Sequence, residues 1–157
     1  MKIRQAVAAD AAKISCLIHL RSHLLTVDPT GEGAEGFFAS IRADAIQKYI
    51  DSGHFSYLVA EENDHIIGVA ALRDNSHLFN LFVDYEVQGQ GLGRRLWCNL
   101  RDSAMQAGNH GEFTVNASLN ALDIYRHLGF VEVGAPVEAD GVAFVPMKLQ
   151  LLNELPH

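Results

Sequence analysis

Two cysteines in 157 residues, Cys16 and Cys98, leave no disulfide framework and no metal-type cysteine cluster. Each lies within a helical pattern, where core packing is the expected role. Long apolar runs are missing too: none approaches the roughly 20 residues that a bilayer-spanning helix needs. The run Met1-Lys2-Ile3-Arg4-Gln5 passes directly into strand-like sequence instead of a charged-then-apolar leader, so a soluble, cytoplasmic protein with no membrane partner is expected. Cations are scarce. Twelve Lys and Arg against nineteen Asp and Glu give a formal charge of -7, too acidic for the broad basic face that a nucleic-acid partner requires. The eight histidines are scattered and form no Cys/His cluster, so no metal is expected.

What the chain does have is enough apolar sequence, 48% of its residues, for one core, and residues 1–157 read as a single domain. Met1 to Val7 is strand-like, and Asp10 is placed to cap a helix in which Ile14, Leu17, Ile18, Leu24 and Leu25 recur at helical spacing. Thr30 to Gly36, with three glycines and two acids, reads as an exposed, flexible loop. Phe37, Phe38, Ile41, Ala45, Ile46 and Tyr49 predict one second helix, closed near Ser52-Gly53. Phe55 to Ala60 and Ile66 to Leu72 form an antiparallel pair across the turn residues Glu61 to His65. His77 to Val83 follows as a strand with His77, Phe79, Leu81 and Val83 on one face, provided no bulge interrupts the alternation.

Leu92, Leu96, Leu100 and Ala104 then align along a helix from about Gly91 to Gln106, stopped by Gly108-Asn109. Glu112 to Asn116 is a short strand, and Ser118 is placed to cap a helix whose inner face is Ala121, Ile124, Tyr125 and Leu128. Phe130 to Val133 and Val142 to Leu149 are the last strands. Pro146 removes a ladder donor from the second of them, so that strand either is an edge or stops hydrogen bonding there; as an exposed edge it would offer a homodimer a place to pair. The order β-α-α-β-β-β-α-β-α-β-β defines an α/β class with a mixed (α+β) sheet.

The most informative stretch runs from Leu81 to Trp97, where a strand breaks into a glycine-rich turn and restarts as a helix. Gly89, Gly91 and Gly93 let the backbone bend tightly and approach a ligand closely. The helix that follows offers unpaired N–H groups and the positive end of its dipole, the outline of a phosphate site. Arg94 and Arg95 sit in its first turn, where cations are unfavourable unless an anion binds. From Gln88 to Arg101 there are three arginines and no acid, against the charge of the whole chain. A tight turn with solvated arginines is the competing reading. Neither a Walker loop nor a GxGxxG sequence is present.

Gln88-x-x-Gly91-x-Gly93 resembles the Q/R-x-x-G-x-G/A acyl-coenzyme A signature of the GNAT superfamily of N-acetyltransferases, and Ala121-Leu122-Asp123-Ile124-Tyr125-Arg126-His127-Leu128-Gly129-Phe130 resembles that family's A-x-x-x-Y-x-x-L-G-F segment. The resemblance implies a fold whose strands splay to admit a pantetheine arm, with acetyl-CoA as co-substrate and a small-molecule or peptide amine as partner. It implies that the backbone of Gln88, Gly89, Gln90, Gly91, Leu92, Gly93 and Arg94 holds the pyrophosphate and that Leu81, Phe82 and Val83 meet the pantetheine. Tyr125 falls on the family's tyrosine, a general acid toward the departing thiolate, although it also lies on an apolar helix face where tyrosine often only packs.

Some members place a glutamate base eleven residues before the signature glutamine; this chain has His77 there, with Glu86 and a water relay as competitors. Ser118 stands where the family often has asparagine, flanked by Asn116 and Asn120, and any of these could bond the pantetheine or simply cap and solvate the turn. Asp28, Glu32 and Glu35 fall in the region that resembles the acceptor-binding segment and could draw in an amine. Neither cysteine adjoins a motif, so direct transfer in a ternary complex is expected. The alternative is a noncatalytic acyl-CoA binding or sensing module, which would bind the cofactor yet release no thiol.

Overall fold

Short, largely apolar runs bounded by polar turns fold the middle of the chain into a meander of β2 (Phe55–Glu62), β3 (His65–Arg73) and β4 (His77–Val83) in this computed structural model, which describes residues 1–151. Asn63 and Asp64, both at positive φ, make the two-residue turn between β2 and β3, a conformation that suits the right-handed twist of the strands. β1 (Lys2–Gln5) pairs with β2 at one side. β5 (Glu112–Ser118) joins β4 in parallel, and the eight-stranded mixed sheet continues through β8 (Val142–Gln150) to β6 (Val131–Glu132), with β7 (Val137–Ala139) also on β8.

Helices cover both faces. α4 (Leu92–Gln106) lays Leu92, Leu96, Leu100 and Ala104 onto one side, over a core with Trp97, Phe113, Phe130 and Met147, joined by α5 (Leu122–His127). α1 (Ala11–Arg21) and α3 (Ala43–Asp51) pack Ile14, Ile18 and Ile46 against Val59 and Val69 on the other, with α2 (Glu35–Ser40) alongside. Gly68 sits under α4: a Cβ there would come within 2.8 Å of Leu96 Cδ1, so its missing side chain sets how closely the helix approaches the sheet. α4 ends where Gly108, at φ +107, turns the chain so that the Gly108 and Asn109 N–H groups donate to the Met105 and Ala104 carbonyls. No helix among the described residues is long and apolar enough to cross a membrane.

Several expectations fail for identifiable reasons. The first helix stops at Arg21, and Leu24 lies in a separate 3-10 turn, Ser22–Leu24. The single helix foreseen from Phe37 to Tyr49 is two, because Arg42 is extended at φ -67, ψ 150. Asp10 precedes α1, yet its carboxylate does not cap that helix; it accepts from Arg4 and from the Val7 N–H at the start of the 3-10 turn Ala8–Asp10. Ser118 makes no side-chain cap either; Leu119–Ala121 form a 3-10 turn before α5 begins. Cys16 is exposed and not in the core, while Cys98 is half-buried.

The last strand is not an edge. β8 lies between β5 and the pair β6 and β7, so the edge argument for a homodimer at this strand falls away. Pro146 is tolerated because its carbonyl accepts from Val133 on the outer side, where its nitrogen must also point, opposite the gap between β6 and β7. The loop Thr30 to Gly36 is tied down: Ala34 is fully buried, and Gly141 lies so close that a Cβ on it would stand 2.5 Å from the Gly33 carbonyl oxygen. Val27 N–H donates to Gly141 O at 2.8 Å, which fastens the segment leading into that loop to the β7–β8 turn.

Candidate active site

The site begins where two strands part. β4 and β5 pair at His77 with Thr114 and at Leu78 with Val115, and no further pairing joins them toward Val83. Register with β3 also slips between Ala71 and Leu72, leaving Phe79 without a partner. The alternation foreseen for β4 therefore breaks there: Phe79 packs on Tyr49 and Phe55, and the next residue, Asn80, donates to the Tyr57 hydroxyl of that same cluster at 3.2 Å. Beyond the bulge, the backbone of β4 facing β5 has no strand to bond.

At the open end of that cleft lies the glycine turn. Gly89 and Gly91 both sit at φ +79, and a Cβ at either would meet nothing within 4 Å, so glycine is required there for backbone conformation and not for space. The first intrahelical bond of α4 runs from the Arg95 N–H to the Gly91 carbonyl, which leaves the Leu92, Gly93 and Arg94 amides ahead of it. Arg94 is anchored elsewhere, its guanidinium donating to the His127 carbonyl at 2.9 Å.

Two cavities follow in line. The outer, of about 320 Å³, gathers Leu81, Phe82, Val83, Gln88, Gly89, Gly91, Leu92, Gly93, Arg94, Ser118 and Asn120. The inner, of about 330 Å³, holds His77 and Asn116. Leu25, Leu81, Phe82, Ser118, Ala121 and Tyr125 border both, so the cavities meet at a neck beside the tyrosine. Gln90 lines neither cavity. Glu86 walls a separate groove with Lys13 and Cys16.

Tyr125 is 8% exposed and edge-on to Phe130 at 5.8 Å. Burial alone pushes its phenol above the ordinary value, so it stays protonated across the neutral range. His77 Nδ1 is 2.8 Å from Thr114 Oγ1. Burial, and secondarily the charge of Arg73, holds the imidazole below the usual histidine range, which favours the neutral, proton-accepting form. The acids Asp28 and Glu32 are not in either cavity; they face Glu138 and Asp140 across another groove, and Glu35 likewise lines neither cavity.

Arg21, Arg73, Asn80, Phe37 and Phe144 also line the two cavities, and sequence reasoning missed them. They come from elements far apart in the chain, and the clearest signal available was the turn of β3 into β4, which sets Arg73 opposite His77.

A family model described as an acetyltransferase (GNAT) domain matches residues 25–151. Comparison with curated proteins finds no match. Among solved structures, the chain is similar to a GCN5-related N-acetyltransferase from Rhodopseudomonas palustris, with TM-score 0.74 and 23% identity over 96% of this chain and 95% of that one. It is similar as well to the PaiA N-acetyltransferase from Thermoplasma acidophilum in complex with coenzyme A, with TM-score 0.75 and 16% identity over 96% and 98% of the two chains. An aminoglycoside 6'-N-acetyltransferase complexed with coenzyme A superposes with TM-score 0.75 at 14% identity over 99% and 100%.

Proposed function

Because the chain belongs to the acetyltransferase (GNAT) domain family, we propose that it transfers the acetyl group of acetyl-CoA to a primary amine, directly and within a ternary complex. The observation that carries this reading is the parting of β4 from β5 after two residue pairs, with an amide-rich turn at the open end and Tyr125 at the neck beyond it. Amides from Gly89 to Arg94 take the pyrophosphate at the positive end of α4. The unpaired backbone of Leu81 to Val83 meets the pantetheine amides, with Ser118 and Asn120 on the opposite wall.

The thioester then lies at the neck and the acceptor amine in the inner cavity. His77 accepts a proton from the ammonium, freeing the nitrogen lone pair. Nitrogen attacks the thioester carbonyl carbon, and a backbone N–H of β4 beyond the bulge is the donor available to the oxyanion. As the tetrahedral adduct collapses, the C–S bond breaks, the Tyr125 hydroxyl gives its proton to the thiolate sulfur, and the second proton of the attacking nitrogen passes to the phenolate, leaving a neutral amide and a restored Tyr125. Neither cysteine lines either of these two cavities, which supports direct attack over an acyl-enzyme.

Incubation with acetyl-CoA and a panel of amines, with detection of free thiol, tests the assignment. Amine-dependent thiol release is expected. Tight binding of acetyl-CoA with no thiol released to any amine would instead identify a sensing module.

A further inference from the structure

Among the described residues, no carboxylate lines the inner cavity. Apart from the Tyr125 phenol, the ionisable side chains among its described lining residues are Arg73 and His77, and the walls are aromatic, with Phe37, Phe79, Phe82 and Phe144. A polycationic acceptor would bring several ammonium groups to a guanidinium, with no carboxylate among the described lining residues to offset them, an arrangement that discriminates against it. The loop acids do not compensate: Asp28 faces another groove, and its carboxylate accepts from the Thr30 N–H and hydroxyl at 2.9 and 2.8 Å.

Arg73 has the character of an anion receptor. Its guanidinium stands 5.8 Å from the Phe79 ring centroid and is exposed. It pairs with no carboxylate among the described residues; the neighbouring Asp74 is directed at His54, 3.5 Å away. Arg73 and His77 face each other in register across the β3–β4 turn, so a planar fork suited to carboxylate begins beside the imidazole that would take the ammonium proton.

We propose that the acceptor is a zwitterionic aromatic amine of amino-acid size: its ring lies among the phenylalanines, its carboxylate pairs with Arg73, and its single ammonium is delivered to His77. This rests on the acetyl-transfer reading of the site and narrows it.

Calorimetry on the coenzyme A-saturated protein tests it with L-phenylalanine, with phenethylamine, which has the same ring and amine but no carboxylate, and with spermidine. L-Phenylalanine should bind at least about tenfold more tightly than phenethylamine, the scale of one charge-assisted bond, with spermidine weakest. Arg73→Ala should collapse the ratio of the first two affinities toward one, and Arg73→Lys should restore part of it. Thermal melts of both variants should match the parent, since the side chain is exposed. Equal or tighter binding of phenethylamine or spermidine, no binding by any of the three, or an unchanged ratio in Arg73→Ala would overturn the assignment. The parallel thiol assay separates the two claims. Acetylation of spermidine in preference to phenylalanine leaves acetyl transfer standing and removes this acceptor, whereas Arg73-dependent phenylalanine binding with no thiol release does the reverse.

Discussion

His77 Nδ1 lies 2.8 Å from Thr114 Oγ1, at the first of the two residue pairs that join β4 to β5. The bond fixes the imidazole where the strands begin to part. For Nε2 to accept a proton as the proposed base, Nδ1 must carry the hydrogen and donate it to the threonine oxygen, the tautomer that Thr114 is placed to favour. Because burial and then Arg73 lower the imidazole pKa from its ordinary 6.5, the acidic limb of kcat/KM should fall below that value. His77→Ala should lower kcat/KM by about 100-fold or more and abolish the limb. Thr114→Val should lower kcat while leaving coenzyme A affinity in place. Retention of the limb in His77→Ala would remove the base assignment.

Tyr125 tests the other end of the proposed proton path. Its phenol is raised by burial, so no alkaline limb from this group should appear below its ordinary value of 10. Tyr125→Phe keeps the edge-on contact with Phe130 and should therefore melt near the parent temperature. Loss of the proton donor should cut kcat about 100-fold, within the range of general acid catalysis, with KM for acetyl-CoA little changed. Unchanged kcat would return the residue to a packing role.

Part of what is local in backbone terms was legible in the sequence, although the break at Arg42 was not. Gly89 and Gly91 at positive φ and the fourfold spacing of Leu92, Leu96 and Leu100 needed no distant partner to be read. Pro146 misled because its effect depends on the strand beyond it: the outer neighbour of β8 is interrupted between Glu132 and Val137, a gap no period in β8 can reveal. The bulge at Phe79 was equally hidden, since it is a mismatch in count between two strands. Arg73 and Phe144 reach the same cavity from strands more than 60 residues apart, so the missing carboxylate became visible once the fold set them together.

The cluster of Arg4, Asp10 and Glu61 predicts how the fold responds to acid. Arg4 grips Asp10 through two nitrogens at 2.8 and 2.9 Å and reaches Glu61 at 3.0 Å, tying β1 to β2 and to the approach of α1. The Arg4 bonds, with help from the Val7 N–H and against burial, hold Asp10 below its ordinary 3.8. A depressed carboxylate pKa contributes stability that is complete above the unfolded value and is lost as pH falls from there through the folded one. Asp10→Asn should therefore cost about 1.5–3 kcal/mol near neutral pH and flatten the decline below pH 4, as urea titrations at several pH values would show. Asp44→Asn, which breaks an exposed pair with Arg42, should leave the midpoint where it is. Equal effects from the two variants would discount the cluster.

Gly91 and Gly108 flank α4 and together separate the proposed phosphate-binding role of the glycine turn from mere helix stability. Both have positive φ, +79 and +107, and a Cβ on either meets nothing within 4 Å, so alanine strains the backbone at each without a clash. Each substitution should cost about 1–2 kcal/mol of stability. The consequences for ligand differ. Gly91 lines the outer cavity ahead of the free amides, whereas Gly108 closes the far end of the helix through bonds to Met105. Gly91→Ala should weaken coenzyme A binding by at least about tenfold, a little over 1 kcal/mol, because amides that converge on one diphosphate do not tolerate a shifted backbone. Gly108→Ala should lower the melting temperature of the free protein by a similar amount yet keep the affinity. If calorimetry gives both variants the same affinity, the diphosphate is held somewhere other than this turn.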